Sequence, residues 1–309
     1  VASYAVPEFG TNFVRQMLVE TLPKTFAQLV RISGLSHGTD VWNTNAQDLV
    51  SGSTEFGKVE FKDIIGCRDD IMVDLLHFGL KPSSAFQIME FVRKGKVGKD
   101  PQTWNKYKAE MIENHVPAWY IWSCERIKYM FPKAHATAYV LMALRIAWFK
   151  VNAPALFYSA WFSKRAKGHV IQAYLGGKMA IKATMEEIMN KPDRTATDDD
   201  KYTALQVALE MTSRGIKFLP VDILKSSATI FEVEDGALRI PFSAVDSLGE
   251  SIAVDLVTKR EEKLFTSKKD VQNRTRLSLS LFELFDTMHS FGNLPEEDPE
   301  EAVGLFAFA

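Results

Sequence analysis

The chain has 309 residues, of which 46% are hydrophobic and 25% charged, with a formal net charge of −2. These proportions are ordinary for a soluble globular protein with room for two or more domains, and they exclude only the compositionally extreme classes. The most apolar run, Ala136 to Leu144, is far short of the roughly 20 residues needed to cross a bilayer, and Arg145 interrupts it, so no membrane span and no membrane partner is expected.

The chain begins with Val1 rather than Met, and no basic-then-apolar leader pattern follows, so it reads as a piece of something longer rather than a secreted precursor. Val6 to Gly10 reads as a turn. From Thr11 the spacing of Phe13, Met17 and Leu18 predicts a helix, and Phe26, Leu29, Val30 and Ile32 continue the period after Pro23. Residues 33–40 then read as a loop with two glycines, several hydroxyls, His37 and Asp40. Such a loop is either a phosphate cradle or simply a loop. Asn43 to Glu60 is polar, contains Gly52 and Gly57, and reads as a surface excursion of little consequence.

Cys67 and Cys124 are far apart and lack CxxC spacing, which indicates neither a disulfide framework nor a zinc site; a reducing cytoplasm is the expected setting. Asp69 and Asp70 are placed to cap a helix running to about Phe78 and ending at Gly79. Arg68 lies beside that helix start, where a phosphate contact would fit. Pro82 opens the next helix, with Phe86, Ile88, Met89, Phe91 and Val92 as its apolar positions. It ends in Arg93, Lys94, Lys96 and Lys99, four cations interleaved with two glycines. That run reads as a flexible basic loop able to follow a phosphate backbone, or as a solvated turn. Trp104, Tyr107 and Met111 predict a further helix, and Trp119 to Met130 another that delivers the chain to Phe131.

The stretch from Met130 to Ser163 organises the rest. Pro132 stands at a first helical position, Asn152 and Pro154 end the helix, and almost no polar face lies between them, so this helix is expected to be buried nearly all round. Lys133 and His135 fall in its first turn, where the helix dipole disfavours cations. An anion held jointly by the free N–H groups and the two cations would resolve that conflict. Alternatively, Lys133 snorkels to water and His135 is a satisfied buried histidine. On the anion reading, Lys133→Ala is expected to leave stability unchanged or slightly raised.

After Ser163 a basic connector leads to predicted helices over 171–190 and 203–214, separated by an exposed loop over 191–200. Residues 229–233 and 237–241 alternate around Asp235 and Gly236, which predicts a β-hairpin. Residues 240–253 resemble a helix-hairpin-helix, whose glycine-bounded turn offers backbone N–H groups to DNA phosphates. Ser247 stands where the first glycine is usual, and Gly249 is retained. Lys259, Arg260, Lys263, Lys268, Lys269, Arg274 and Arg276 give the following helices a basic side, with Leu277, Leu281, Leu284 and Phe285 facing inward. Glu296, Glu297, Asp298, Glu300 and Glu301 close the chain in an acidic stretch expected to be disordered. Without these five acids the balance becomes about +3, which argues for local basic patches rather than a basic domain.

The segment FPKAHATAY at 131–139, continuing through Arg145 to Phe149, is similar to the fingers signature of bacterial C-family replicative DNA polymerases, PolC-type DNA polymerase III alpha subunits above all. VPEFG at 6–10, LSHGTDVW at 35–42, IGCRDDIM at 65–72 and VRKGK at 92–96 resemble segments of the same family in the same order, so the likeness covers most of the chain. The resemblance implies a mainly α fold: a multi-helix fingers domain over 1–165, then a smaller α+β duplex-DNA-binding region over 166–295 with a β-hairpin and a helix-hairpin-helix around 240–260. A tail over 296–309 follows.

The activity implied is template-directed nucleotidyl transfer by a cytoplasmic, nucleoid-associated DNA-directed DNA polymerase. Its partners would be a deoxynucleoside triphosphate (dNTP), primer-template DNA and the remainder of the polymerase chain. Mg²⁺ would be held mainly by palm carboxylates upstream, so the chain alone would be inactive. Arg68 then becomes a fingers arginine meeting the triphosphate, with Ser36, His37, Phe131, Lys133 and His135 around the nucleotide. Tyr139, one turn beyond His135, would stack near base or sugar. Leu305 and Phe306 stand where a clamp-binding peptide is usual in the family, but its leading glutamine is absent, which implies weak binding to a sliding clamp. Two other readings stand beside this one: a non-enzymatic helix-hairpin-helix DNA-binding protein, which leaves Lys133 and His135 unexplained, and a helical scaffold without nucleic acid.

Overall fold

The computed structural model describes residues 2–297; Leu305 and Phe306 of the expected clamp peptide lie outside the described residues, as do the last three acids of the tail. The chain divides into two compact units, Val1–Ala147 and Trp148–Ala309. Both are predominantly helical.

In the first unit, α1 (Asn12–Thr21) starts where the Thr11 hydroxyl accepts the N–H of Val14, and it buries Met17 and Leu18. A capping box between Thr25 and Gln28 starts α2 (Phe26–His37). This helix corrects the loop expected over residues 33–40: Ser33 to His37 form its last turn. Ser36 turns its hydroxyl back onto the Ser33 carbonyl, and the N–H of Gly38 bonds to the Gly34 carbonyl. Residues 33–37 therefore do not form a glycine-rich loop. The glycine at 34 reflects packing, because a Cβ at that position would stand 2.3 Å from the Gly66 carbonyl oxygen, and one on Gly66 would stand 2.4 Å from Cγ of Arg31.

The expected surface excursion after residue 43 is also corrected. Trp42–Ala46 forms a kinked turn with Thr44 in the left-handed region, φ +56°, and Gln47–Ser51 a short helix, α3; together they bury Trp42, Asn45, Ala46 and Leu49. Polar composition misled here because Asn45 is buried with its amide satisfied. It donates to the carbonyls of Asp40 and Ser123 and accepts from the Ser123 hydroxyl at 2.7 Å.

Then follow α4 (Arg68–His77), α5 (Pro82–Arg93), α6 (Pro101–Glu113) and α7 (Ala118–Arg126). Pro82 and Pro101 each occupy a first-turn position, where a missing N–H costs nothing. The helix before Phe131 ends at Arg126, earlier than expected. Residues 127–132 run extended, held to the end of α2 by a bridge between Thr39 and Tyr129.

From the first unit α8 (Lys133–Asn152) carries the chain into the second. It buries Ala136, Val140 and Ala143, one stripe at helical spacing. Leu141, Met142, Leu144, Trp148, Phe149 and Val151 are exposed. The helix is therefore not buried all round. Its apolar circumference exceeds what the described residues cover.

The second unit contains α9 (Pro154–Lys164), α10 (Ile171–Met189, interrupted at Gly177) and α11 (Ala196–Ser213). The loop before α11 is shorter than expected, because Thr195 and Asp198 form a capping box that draws residues 196–200 into the helix. Strands β1 (Phe218–Leu219), β2 (Glu232–Glu234) and β3 (Ala237–Arg239) lie in the order β1-β3-β2, with β1 parallel and β2 antiparallel to β3. The expected hairpin is present. Asp235 and Gly236 both take positive φ, the turn that suits the twist of two strands. Phe162, Tyr174, Phe218 and Phe231 form an aromatic core. The unit is completed by α12 (Glu250–Glu262), α13 (Lys268–Arg274) and α14 (Leu279–Thr287). Leu277, Leu281 and Phe285 are buried as expected. Residues 148–164 join this unit because Lys150 and Tyr158 both reach Glu210 on α11. Among the described residues no helix is long and apolar enough to cross a membrane.

Candidate functional site

The N-terminal ends of α4 and α8 meet in the first unit, and each supplies backbone N–H groups that no intrahelical carbonyl can take. The Arg68 N–H donates to the Phe131 carbonyl at 3.1 Å. Asp69 accepts the Lys133 backbone N–H at 2.6 Å and so caps α8. Asp70 takes the N–H groups of Gly66 and Cys67 on Oδ2, at 3.1 and 3.0 Å, and the Lys133 ammonium on Oδ1 at 2.9 Å. Arg31 stands 3.9 Å from the same carboxylate. The sequence reading assigned Asp69 and Asp70 only to capping their own helix. They also neutralise the neighbouring helix end and its lysine. The conflict seen at Lys133 is therefore resolved within the chain and does not itself require a bound anion.

Beside these carboxylates lies a cavity of about 390 Å³ lined by Gln28, Arg31, Lys62, Cys67, Asp70 and Lys133 among others. Three of its residues are cationic. Burial, reinforced by Asp70, pushes the Cys67 thiol up to about 12, so it is no nucleophile at neutral pH. The pairing with Asp70 raises the Lys133 ammonium above its ordinary value, and it stays charged.

A run of rings borders the mouth of α8. Tyr129, Phe131, His135 and Tyr139 follow one another at centroid separations of 5.4, 5.1 and 4.6 Å, and His37 stands 5.6 Å from Phe131. His135 and Tyr139 are exposed one helical turn apart, while His37 is paired with the Glu8 carboxylate. The structure thus brings together His37, Phe131, His135 and Tyr139, with Lys133 and Arg68 at the adjoining helix ends. It turns the Ser36 hydroxyl away. Flat faces beside cations suit a planar anionic ligand. Glu8, Arg31, Asp70 and Tyr129 were not found from sequence as members of this neighbourhood; Asp70 and Lys133 are 63 positions apart, and nothing local links them.

The basic run at the end of α5 is less free than its composition suggests. Arg93 and Lys94 both pair with Glu90, whose carboxyl their hydrogen bonds lower to about 2. Lys96 and Lys99 are exposed. In the second unit, Ser247 takes a left-handed backbone, φ +66°, where the motif usually has glycine. The N–H groups of Ser247 and Gly249 have no intramolecular partner among the described residues, the condition for donating to a phosphate.

On the expected basic side of α12 and α13, Lys263 is exposed and most of the other cations stand in ion pairs. Lys259 pairs with Glu262, Lys268 with Asp286 and Glu296, Arg274 with Asp270, and Arg276 with Asp255. Arg260 points inward and donates to the carbonyls of Ile223 and Ser226 at 3.2 and 2.8 Å. It braces the fold through these carbonyls, and burial lowers its pKa.

Among the described residues no group of three His, Cys, Asp or Glu side chains is placed to hold a metal ion. The adjacent carboxylates of Asp69 and Asp70 are taken up by N–H groups and cations, so as donors they do not suit Mg²⁺.

Residues 2–115 match the bacterial DNA polymerase III alpha subunit finger domain, and residues 215–295 match a helix-hairpin-helix motif. The chain is 51% identical over 299 residues to a PolC-type DNA polymerase III of Streptococcus sanguinis, and 53% identical over 302 residues to one of Oceanobacillus iheyensis. These alignments cover 95% and 97% of the chain. A PolC-type relative from Streptococcus thermophilus is 50% identical over the same 95%. The chain spans 20% of the length of each of these curated relatives.

Proposed function

The chain matches a segment of the bacterial C-family polymerases, PolC type, and from that premise we propose that it is the nucleotide-binding and duplex-binding part of a replicative DNA polymerase. In this reading residues 1–165 receive the incoming dNTP and the template, and residues 166–295 hold the primer-template duplex. The observation that carries it is the run of His37, Phe131, His135 and Tyr139 beside two helix N-termini and the cations Arg68 and Lys133. Rings offer stacking surfaces to base and sugar, and the cations draw the triphosphate.

Activation of the primer hydroxyl belongs to another part of the polymerase. Mg²⁺ supplies charge neutralisation and lowers the barrier to attack in this reaction class, and the carboxylates that hold it would come from the rest of the chain. The residues here bind and orient. The exposed Leu141, Met142 and Leu144 of α8 favour a further body of polymerase lying against that helix.

Duplex DNA would meet the unpartnered N–H groups of Ser247 and Gly249 and the exposed Lys96 and Lys99, without base reading. The sliding clamp would be met only weakly by Leu305 and Phe306. The setting is the bacterial cytoplasm at the nucleoid. Steady-state kinetics of the full-length polymerase carrying His135→Ala or Tyr139→Ala test the reading. The expected result is a fall of roughly tenfold in kcat/KM for dNTP with the melting temperature unchanged; unaltered nucleotide kinetics contradict it.

A further inference from the structure

We propose that Asp70 is a built-in competitor for Lys133 at this nucleotide site: it holds Lys133 in the empty protein, and a triphosphate gains Lys133 only by taking it over from Asp70. The inference rests on the nucleotide-binding reading above and adds to it a competitor built into the fold.

The two partners differ in freedom. Asp70 is 6% exposed and is fixed through Oδ2 by the N–H groups of Gly66 and Cys67. Lys133 is 52% exposed and carries its charge on a flexible stem. If the pair opens, Lys133 moves and Asp70 stays. Asp70 then keeps its two N–H donors, and Arg31 stands 3.9 Å away. No carboxylate is left bare, so the exchange is inexpensive on the protein side. The cavity beside the pair gives an anion room to approach.

A fixed carboxylate sets a threshold. A small monoanion offers Lys133 no more charge than Asp70 already does, and it lacks the two backbone donors that hold Asp70 in register. A triphosphate carries several charges and can engage the ring-lined mouth at the same time. Asp70 thus weakens the hold on every anion by the same pair energy, and only a multiply charged ligand with further contacts exceeds it. Asp69 differs, since its carboxylate caps α8 at the Lys133 backbone N–H and does not hold the ammonium.

Asp70→Asn separates the two functions of the side chain, because the amide oxygen still accepts from Gly66 and Cys67 while the charge that holds Lys133 is gone. The experiment is steady-state incorporation of dATP opposite thymine by the full-length polymerase, comparing wild type, Asp70→Asn, Lys133→Met and the double variant. A partly exposed ion pair corresponds to roughly a two- to fivefold effect, so the KM for dATP is expected to fall by that factor in Asp70→Asn with kcat retained. The gain is expected to vanish in the double variant. Inorganic tripolyphosphate is expected to inhibit Asp70→Asn more strongly than wild type.

If Lys133→Met raises KM but Asp70→Asn leaves it unchanged or raises it, the exchange is overturned and the nucleotide site stands. If Lys133→Met leaves KM unchanged, both the exchange and the assignment of Lys133 to the nucleotide are overturned. Should Asp70→Asn fail to fold, Asp70→Ser, which removes the same charge, is read in the same assay with the same expected direction.

Discussion

Lys133, at the start of one helix, donates to Asp70, at the start of another, at 2.9 Å, while the backbone of the same lysine is capped by Asp69 at 2.6 Å. The sequence alone suggests that Lys133→Ala relieves a cation at a positive helix end and leaves stability unchanged or raised. The pairing reverses the sign. Loss of the ammonium removes one partner of a buried carboxylate, and with Lys133 half exposed the cost is about 0.5 to 1 kcal/mol. A small drop in melting temperature is expected on thermal denaturation. Since Asp70 raises the lysine's pKa, this stability is fully present below the ordinary lysine value of 10.5 and is lost as pH rises through the folded value above it.

Asn45 and Ser123 form a closed hydrogen-bonded pair in the core of the first unit. Asn45→Leu places an apolar side chain against the Ser123 hydroxyl and the carbonyls of Asp40 and Ser123, all of which lose a partner. A loss of about 1 to 3 kcal/mol is expected in chemical denaturation, with the double variant Asn45→Leu, Ser123→Ala recovering part of it.

His169 lies among Phe162, Tyr174 and Phe231 in the second unit, and burial there lowers its pKa from 6.5 to about 4, partly opposed by Asp246. The unfolded chain gains a proton at this residue below pH 6.5, whereas the folded chain gains none until about pH 4. Stability that is full above 6.5 is therefore lost as pH falls through that window, by about 3 kcal/mol. Denaturation curves at intervals between pH 7 and pH 4, flatter in His169→Phe than in wild type, are the expected record.

Three cations expected from sequence to contact DNA separate once their surroundings are known. Arg260→Met removes a strut to the Ile223 and Ser226 carbonyls and is expected to lower the melting temperature while leaving the salt dependence of duplex binding intact. Lys96→Ala with Lys99→Ala is expected to do the opposite, reducing the slope of log affinity against log salt by about 1 to 2 without destabilising the fold. Titrations between low and moderate salt measure both.

The sequence discloses local features well and distant pairings poorly. Asp235 and Gly236 define their hairpin turn by themselves, and Pro82 marks a helix start through its own chemistry. Gly34 misleads because its meaning depends on Gly66, which passes within reach only after folding. Asn45 looks like a surface residue until Ser123 satisfies it. At the candidate site, the residues of the 131–139 segment and Arg68 are legible, but the carboxylates that hold Lys133 are not, because a helix-capping acid and an ion-pairing acid have the same local pattern. The exposed side of α8 is hidden in the sequence for a related reason: periodicity shows that a helix is apolar all round, and it does not show which surfaces are available to cover it.

Photocrosslinking most directly tests whether residues 131–139 receive the incoming nucleotide. The full-length polymerase, bound to primed template, is irradiated with an aryl-azide dNTP complementary to the next template base, and the labelled peptide is identified by mass spectrometry. The account predicts label on the peptide spanning Phe131 to Tyr139, dependent on primed DNA and suppressed by unmodified dNTP. Efficient, competable labelling confined to peptides outside residues 1–165 would contradict it.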